Sequence, residues 1–218
     1  MQKDNKITKE DALSIIIESS KLYNKHLCNK NVLFLYKEKT TEKAVIIFKA
    51  METEFTSTQF LHLTGVKIIN NKGKKEAASS FYKKCINNKL KITDFELHKE
   101  PIYYKKFSII KSLMEIEKGA RMLGIYNNNM VNLKTNLLAG GISSCMGFVK
   151  GNNMYYPNTI LAEDIRSQVN YSNQIIAIFV KPKKDKDYKI CTYKSKKYDI
   201  NSIIKNIDFG NKNIIVQL

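Results

Sequence analysis

The uninterrupted apolar run within residues 174–180 is the feature that most constrains the fold of this chain. After Gln174 it reads Ile-Ile-Ala-Ile-Phe-Val, with no alternation between apolar and polar positions. An extended segment of this composition is typical of a central strand that is buried on both faces. The rest of the chain is therefore expected to supply the strands beside it and a cover for its faces.

Helical periodicity predicts three helices ahead of that strand. Thr8, with Asp11 three positions later, resembles a capping box and begins a helix over about 9–27. Amphipathic patterns predict a second helix over 74–88 and a third from residue 103 to about residue 118.

Strand patterns occupy two other regions. A β-hairpin is predicted from residues 31–36 and 43–51, and a succession of short strands and turns begins after Arg121. A turn at 70–73 and a last edge strand at 214–216 complete the assignment. The predicted class is α+β, with an N-terminal helix and β-hairpin, two central helices and then a mainly antiparallel C-terminal sheet.

The chain is predicted to form a single domain over 1–218, because it has only three prolines and no segment with the composition of a linker. Within that domain, residues 1–54 hold the N-terminal helix and hairpin, residues 55–198 form the core, and residues 199–218 form a C-terminal extension.

The charge of the chain predicts a polyanionic partner. There are 37 Lys and Arg residues against 20 Asp and Glu residues, which gives a net charge of +17. RNA, DNA or an acidic membrane face would attract such a protein. A coding bias towards Lys, Asn and Ile is the alternative source of part of this charge.

Two further patterns concern the compartment. No stretch approaches 18 apolar residues, so no membrane span and no membrane partner are expected. The four cysteines have no paired spacing, which is typical of reduced thiols in a cytosolic protein, and the predicted location is cytoplasmic. They are Cys28, Cys85, Cys145 and Cys191.

The motifs of metal and nucleotide enzymes do not occur in the sequence. There is no phosphate-binding GxxxxGK[ST] loop, no GxGxxG, no HExxH and no dense acidic cluster. We therefore expect no metal and no cofactor.

Metal-free cleavage of RNA needs only a base for the 2′-hydroxyl, an acid for the leaving 5′-oxygen, and donors that stabilise the charged phosphorane. DNA is excluded as a substrate because it lacks the 2′-hydroxyl.

His62 is the predicted acid or base. It alternates with Leu61 and Leu63, so an extended backbone would point it away from them, and Gly65 would let the chain turn afterwards. The alternative is a hydrogen-bonded histidine in a half-buried strand.

The remaining candidates are cations and hydroxyls. Those for phosphate contacts are Arg121, Lys106, Lys111 and Lys134, and those for orienting hydroxyls are Ser144, Tyr156 and Thr159. His26, near the end of the first helix, is predicted to serve packing or the helix dipole. His98, in a charged connector, is predicted to lie on the surface.

Four segments resemble a known family. They are Phe-Leu-His-Leu-Thr-Gly-Val at 60–66, the helical segment 77–82, the segment 90–94, and Tyr-Tyr-Pro-Asn-Thr at 155–159. Together they look like the fourth phage-associated group of barnase, EndoU, colicin and RelE-like nucleases. The similar span is about 55–195, and residues 1–54 lie outside it.

This resemblance implies an α+β fold and metal-independent RNA cleavage in phage conflict or toxin systems. RNA is the expected partner, and a neutralising antitoxin or inhibitor is the second. By position, His62 and Thr64 correspond to the first motif of the family, and Asn158 and Thr159 to its later one. The predicted catalytic set is then His62, Thr64, Arg121 and Thr159, and the predicted substrate-binding set is Lys106, Lys111, Lys134, Ser144, Tyr156 and Asn158.

Two other classes remain open. The first is a non-catalytic basic protein that binds nucleic acid or regulates a phage, although no helix-turn-helix pattern is present. The second is an enzyme acting on a nucleotide or small molecule, such as a fold similar to the ADP-ribosyl transferases. That enzyme would need an acidic residue on a late strand, and none stands out there.

Overall fold

The computed structural model describes residues 7–40, 46–69, 77–128 and 133–205, and in them seven α-helices and ten β-strands. The helices are Lys9–His26 (α1), Phe60–Thr64 (α2), Ala78–Ile86 (α3), Pro101–Leu113 (α4), Ile116–Gly119 (α5), Ile165–Gln168 (α6) and Ile200–Lys205 (α7). The strands are Lys30–Glu38 (β1), Ile47–Phe55 (β2), Val66–Ile68 (β3), Phe95–Leu97 (β4), Met122–Ile125 (β5), Leu137–Gly140 (β6), Cys145–Lys150 (β7), Tyr155–Leu161 (β8), Asn173–Pro182 (β9) and Ile190–Lys194 (β10).

Eight strands form one mostly antiparallel sheet in the order β1-β2-β8-β7-β6-β5-β9-β10. Thr53 of β2 and Tyr155 of β8 form a parallel contact in it. The strands β3 and β4 form a separate two-stranded ribbon. The α+β class and the mainly antiparallel sheet predicted from the sequence are confirmed.

The apolar strand β9 lies inside this sheet. It pairs with β1 along one edge, and with β5 and then β10 along the other. Its residues 175–181 are buried, which confirms the predicted central strand. Because β1 also pairs with β2, the hydrogen-bonded strands run round a closed circuit from β1 through β2, β8, β7, β6, β5 and β9 back to β1.

Helices α1, α3 and α4 pack on one face of the sheet around a large aromatic core. Tyr23 of α1 lies within 5.2 to 6.2 Å, between ring centroids, of Phe55, Phe60 and Tyr82. Its hydroxyl donates to the carbonyl of Thr56 at 2.8 Å, so its polar end is satisfied inside the core. This packing fixes the position of α2, which begins at Phe60.

The segment 60–66 corrects the sequence-based expectation, because residues 60–64 are helical rather than extended. Phe60 and Leu63, three positions apart, are both buried, a spacing that suits a helix. Gly65 then ends α2 in the left-handed conformation, with φ at 69°. His62 lies on the exposed side of this helix.

The other differences are smaller. The helix predicted over 103–118 is two helices, α4 and α5. The predicted turn at 70–73 and strand at 214–216 lie outside the described residues. The boundaries proposed within the single domain stay predictions. In the described segments, no helix has both the length and the apolar composition needed to cross a membrane.

Candidate active site

The candidate site is centred on the ammonium group of Lys106, on α4. This residue is only 7% exposed, and its Nζ donates a hydrogen bond to Thr159 Oγ1 of β8 at 3.1 Å. Within the described residues no carboxylate forms an ion pair with it. Lysine is almost never buried unless it is paired. Because Thr159 accepts only one of the three N–H donors of Lys106, the other two are available to an anionic ligand.

Burial lowers the pKa of the Lys106 ammonium to about 8, from an ordinary value of 10.5. At neutral pH the group is mainly charged, yet it can give up its proton far more readily than a surface lysine. Perturbed groups of this kind concentrate at functional sites. Its Nζ also lies 5.5 Å from the centroid of the Tyr103 ring, one helical turn earlier on α4, in a cation–π contact.

A bulge in β8 places Thr159 beside this ammonium. Phe148 pairs with Pro157 but Gly147 pairs with Thr159, so Asn158 is an extra residue on its strand. Asn158 Nδ2 donates to the carbonyl of Lys134 at 2.5 Å. Bulges often re-aim side chains next to active sites.

Gly147 makes room on the neighbouring strand. A Cβ built there would lie 2.7 Å from Thr159 Cγ2 and 2.9 Å from Thr135 Oγ1. The Thr135 hydroxyl donates to Asn158 Oδ1 at 3.0 Å, so the two threonines and Asn158 form one compact polar group. Any side chain at position 147 would displace this group.

We expect Gly147→Ala to lower the free energy of unfolding by about 1–3 kcal/mol, the usual cost of overpacking a tight site. The new methyl group meets two β-branched side chains, Thr135 and Thr159, that have few other rotamers to adopt. Denaturant unfolding measures the change. Gly119→Ala is the matched control, because no atom lies within 4 Å of its Cβ position, and it should not destabilise the protein. Equal stability of the two variants would contradict the close packing.

The segment 60–66 also lies against this site, through the backbone of Gly65. A Cβ at Gly65 would lie 2.8 Å from Lys106 Cδ and 3.0 Å from Tyr103 Cδ1, so α2 ends directly against both side chains. Thr64 is buried, and its hydroxyl donates to the carbonyl of Leu61 at 2.7 Å. Thr64 therefore holds the end of α2.

His98 is the feature that sequence reasoning missed. In the ribbon, Val66 pairs with Leu97, and the next positions are Gly65 and His98. The His98 ring stacks on the Tyr103 ring, with centroids 3.8 Å apart and planes 11° apart. The residue is half-buried, whereas its charged surroundings in the sequence had predicted a surface position.

The environment of His98 favours its neutral form. Burial lowers the pKa of the imidazole, the charges of Lys67 and Lys106 lower it further, and Glu100 opposes them. Since the His98 and Lys106 groups both lie against Tyr103, the His98 ring centroid and Lys106 Nζ are within about 9 Å of each other.

The remaining predicted residues lie at other positions. Arg121 stacks on Tyr193 of β10, with its guanidinium 3.9 Å from the ring centroid, and donates to two backbone carbonyls near the start of β5. Lys111 forms an ion pair with Glu18 of α1. His62 is exposed on α2, three residues before Gly65. Their predicted roles stay predictions.

Three other candidates lie around the β6, β7 and β8 strands. Ser144 is in the turn between β6 and β7, where its carbonyl accepts from Gly141 N at 2.9 Å. Tyr156 packs over the turn between β7 and β8, because a Cβ at Gly151 would lie 2.4 Å from its ring. Lys134 is exposed and presents its carbonyl to Asn158. Lys134 is thus near the Thr159 group, while Ser144 and Tyr156 are at the two ends of the strand pair.

In the described part of the chain, no group of three or more His, Cys, Asp or Glu side chains is arranged to hold a metal ion. The groups that the structure brings together are an imidazole, an ammonium, two hydroxyls and an amide.

Comparison with known proteins assigns this chain to a family. Residues 15–197 match the family described as phage-Barnase-EndoU-ColicinE5/D-RelE like nuclease 4. The match includes most of α1 and the β1–β2 hairpin, so the expectation that residues 1–54 lie outside the resemblance was wrong for residues 15–54. No curated protein and no solved structure gives a significant match. Because the match covers most of the sequence, this chain belongs to the fourth family of phage-associated nucleases similar to barnase, EndoU, colicins E5 and D, and RelE.

Proposed function

We propose that this protein is a metal-independent endoribonuclease, toxin-like or related to phage conflict, which cleaves RNA through attack of the 2′-hydroxyl on the adjacent phosphate. The observation that carries the proposal is the buried ammonium of Lys106, which has Thr159 as its hydrogen-bond partner and no carboxylate partner among the described residues. A bound phosphate would supply the missing negative charge.

Lys106 has two roles in this reaction. Its ammonium donates hydrogen bonds to the phosphate oxygens, on which negative charge increases in the transition state. With a pKa of about 8, it also gives a proton to the 5′-oxygen as the bond from that oxygen to phosphorus breaks. The products carry a 2′,3′-cyclic phosphate and a 5′-hydroxyl, and solvent returns the proton to Lys106.

The surrounding residues hold the ammonium in place. Thr159 accepts one N–H of Lys106, and this bond sets the directions of the other two donors. Asn158 and Thr135 fix the backbone at the bulge from which Thr159 projects. Gly65 lets the end of α2 lie against Lys106 and Tyr103. Positioning of this kind reduces the reorganisation needed when charge develops.

RNA is the proposed substrate and the main partner. The net charge of +17 favours binding to a polyanion by counterion release, and exposed lysines such as Lys134 lie near the candidate site. An antitoxin or inhibitor that covers this basic surface would be the second partner, as expected for a toxin-like nuclease that must be kept inactive in the cell that makes it.

We expect the purified protein to cleave RNA in excess chelator and to leave DNA of the same sequence intact, because only RNA carries the nucleophile. Mapping of the 3′ ends should find 2′,3′-cyclic phosphate. The sharpest control is an RNA with a single 2′-deoxy substitution at the cut site, which should resist cleavage there and nowhere else.

Three results would refute this mechanism. They are cleavage of DNA, loss of activity in chelator that magnesium restores, and cleavage at the substituted nucleotide. If RNA binds in a salt-sensitive manner but is never cut, the alternative of a non-catalytic nucleic-acid-binding protein would be favoured instead.

A further inference from the structure

We propose that His98 is the proton acceptor of this site and that it takes the proton from the 2′-hydroxyl nucleophile. The inference rests on the proposed function and adds to it a catalytic residue that the motifs of the sequence do not indicate. It starts from the position of the imidazole, which the β3–β4 ribbon places opposite Gly65 and beside the side chain of Tyr103.

The first argument is geometric. The imidazole stacks on the Tyr103 ring, with centroids 3.8 Å apart, so the orientation of its ring plane is constrained while the residue stays partly exposed. Neither ring nitrogen has a hydrogen-bond partner among the described residues. Tyr103 and Lys106 are one helical turn apart on α4, and both the imidazole and the Lys106 ammonium lie against the Tyr103 ring.

The second argument concerns the charges around the imidazole. The groups that face it are Lys67 on β3, Glu100 just ahead of α4, and Tyr103 and Lys106 on α4. The two lysines and burial outweigh Glu100, so the pKa of His98 lies below its usual value and the ring is neutral at pH 7. A neutral imidazole can accept a proton, whereas a protonated one cannot.

The proposed step is balanced. A ring nitrogen of His98 takes the 2′-hydroxyl proton as the 2′-oxygen bonds to phosphorus. The bond from phosphorus to the 5′-oxygen breaks, and the 5′-oxygen takes a proton from Lys106. His98 then releases its proton to solvent. One group must be neutral and the other charged. Burial lowers both pKa values, but that of His98 lies below 6.5 whereas that of Lys106, at about 8, stays above neutral pH.

The pH dependence of cleavage follows from the protonation states that His98 and Lys106 need. Cleavage should rise as His98 loses its proton, below the ordinary histidine pKa of 6.5, and fall as Lys106 loses its proton near pH 8. The resulting bell-shaped profile has one limb assigned to each residue.

The first experiment is single-turnover cleavage by His98→Ala across this pH range, with a thermal melt to show that the variant is folded. We expect cleavage to fall about 10²–10⁴-fold. The acid limb of the profile should disappear, and added imidazole should restore part of the rate. A purely structural histidine would give no rescue. Wild-type cleavage by His98→Ala, or loss of the acid limb in His62→Ala instead, would overturn the inference.

The second experiment does not depend on cleavage. The ring of His98 is titrated by NMR with and without a single-stranded deoxyoligonucleotide, which carries phosphates but no nucleophile. A phosphate beside the imidazole should raise the pKa of His98. If wild-type protein fails to cut RNA, the proposed function falls. A pKa of His98 that does not move at saturation removes His98 from the site in either case.

Discussion

Replacement of Lys106 by Met should abolish most RNA cleavage and, at the same time, make the protein more stable. Methionine keeps the length of the side chain and its contact with Gly65 and Tyr103, but it removes the ammonium. The loss of a positioned donor to the developing charge costs about 10²–10³-fold in single-turnover rate.

The gain in stability follows from the lowered pKa of Lys106. In the unfolded chain the ammonium has a pKa of 10.5, and in the folded protein about 8, so at pH 7 folding costs on the order of 3 kcal/mol to keep the group charged. Loss of the hydrogen bond to Thr159 returns about 1 kcal/mol of this. We therefore expect Lys106→Met to unfold with a free energy about 2 kcal/mol higher at pH 7.

The sign of the pH effect is also fixed. Between pH 8 and 10.5 the unfolded wild-type chain binds more protons than the folded protein, so the stability of the wild type rises with pH in this window. The advantage of Lys106→Met should therefore shrink from pH 8 upwards and vanish before pH 10.5, because the cost that Met avoids disappears while the lost hydrogen bond to Thr159 remains. Denaturant unfolding at several pH values measures this trend.

Lys105→Met is the matched control, since it removes the same charge from the adjacent position on α4. Lys105 is exposed and forms only a 3.6 Å ion pair with Glu163, so stability should change by less than about 0.5 kcal/mol and cleavage by less than about threefold. If Lys106→Met cuts RNA at the wild-type rate, or loses activity only because it unfolds, the role given to Lys106 is wrong.

Replacement of His26 by Ala should have the largest effect on stability, with little effect on the chemical step. His26 Nδ1 lies 2.9 Å from Glu117 Oε1, and Nε2 lies 3.2 Å from Glu115 Oε1. Glu117 is only 3% exposed, and burial raises the pKa of its carboxyl group while His26 opposes that rise. Removal of the imidazole leaves a buried carboxyl group without this partner, which costs about 3–5 kcal/mol.

The double variant His26→Leu with Glu117→Met tests the cause. It replaces both members of the pair with apolar side chains and should recover most of the lost stability. Thermal melts and denaturant unfolding of the single and double variants measure this recovery. Cleavage by folded His26→Ala at low temperature should stay close to that of the wild type. A melting temperature equal to the wild type would show that the pair does not support the fold.

The elements that sequence reasoning located correctly are those whose signal is local. The apolar run of β9 needs no partner to be recognised, and Thr8 caps α1 as its spacing predicted, with Thr8 Oγ1 accepting from Asp11 N at 3.0 Å. The segment 60–66 was misassigned because five residues contain too few turns to separate a helix from a strand. Packing against the ring of Tyr23 decided its conformation.

The candidate site was only partly visible for the same reason. Lys106 and Thr159 were both named, but 53 positions separate them, and their contact exists because α4 packs against the bulged strand β8. His98 lies in a charged connector, where no sequence motif marks it as functional. Its position opposite Gly65 depends on the three-residue pairing of β3 and β4, which is too short to be predicted from an alternation of apolar and polar residues.

The closed circuit of strands has a consequence for how the protein is made. β1 ends at residue 38, but β9, which covers its second edge, begins at residue 173. At ribosomal rates of about 5–20 residues per second, the backbone edge of β1 that later pairs with β9 therefore stays unpaired for roughly 7–30 s. During translation this edge is open to pairing with other chains, and a chain that stops before β9 keeps it open.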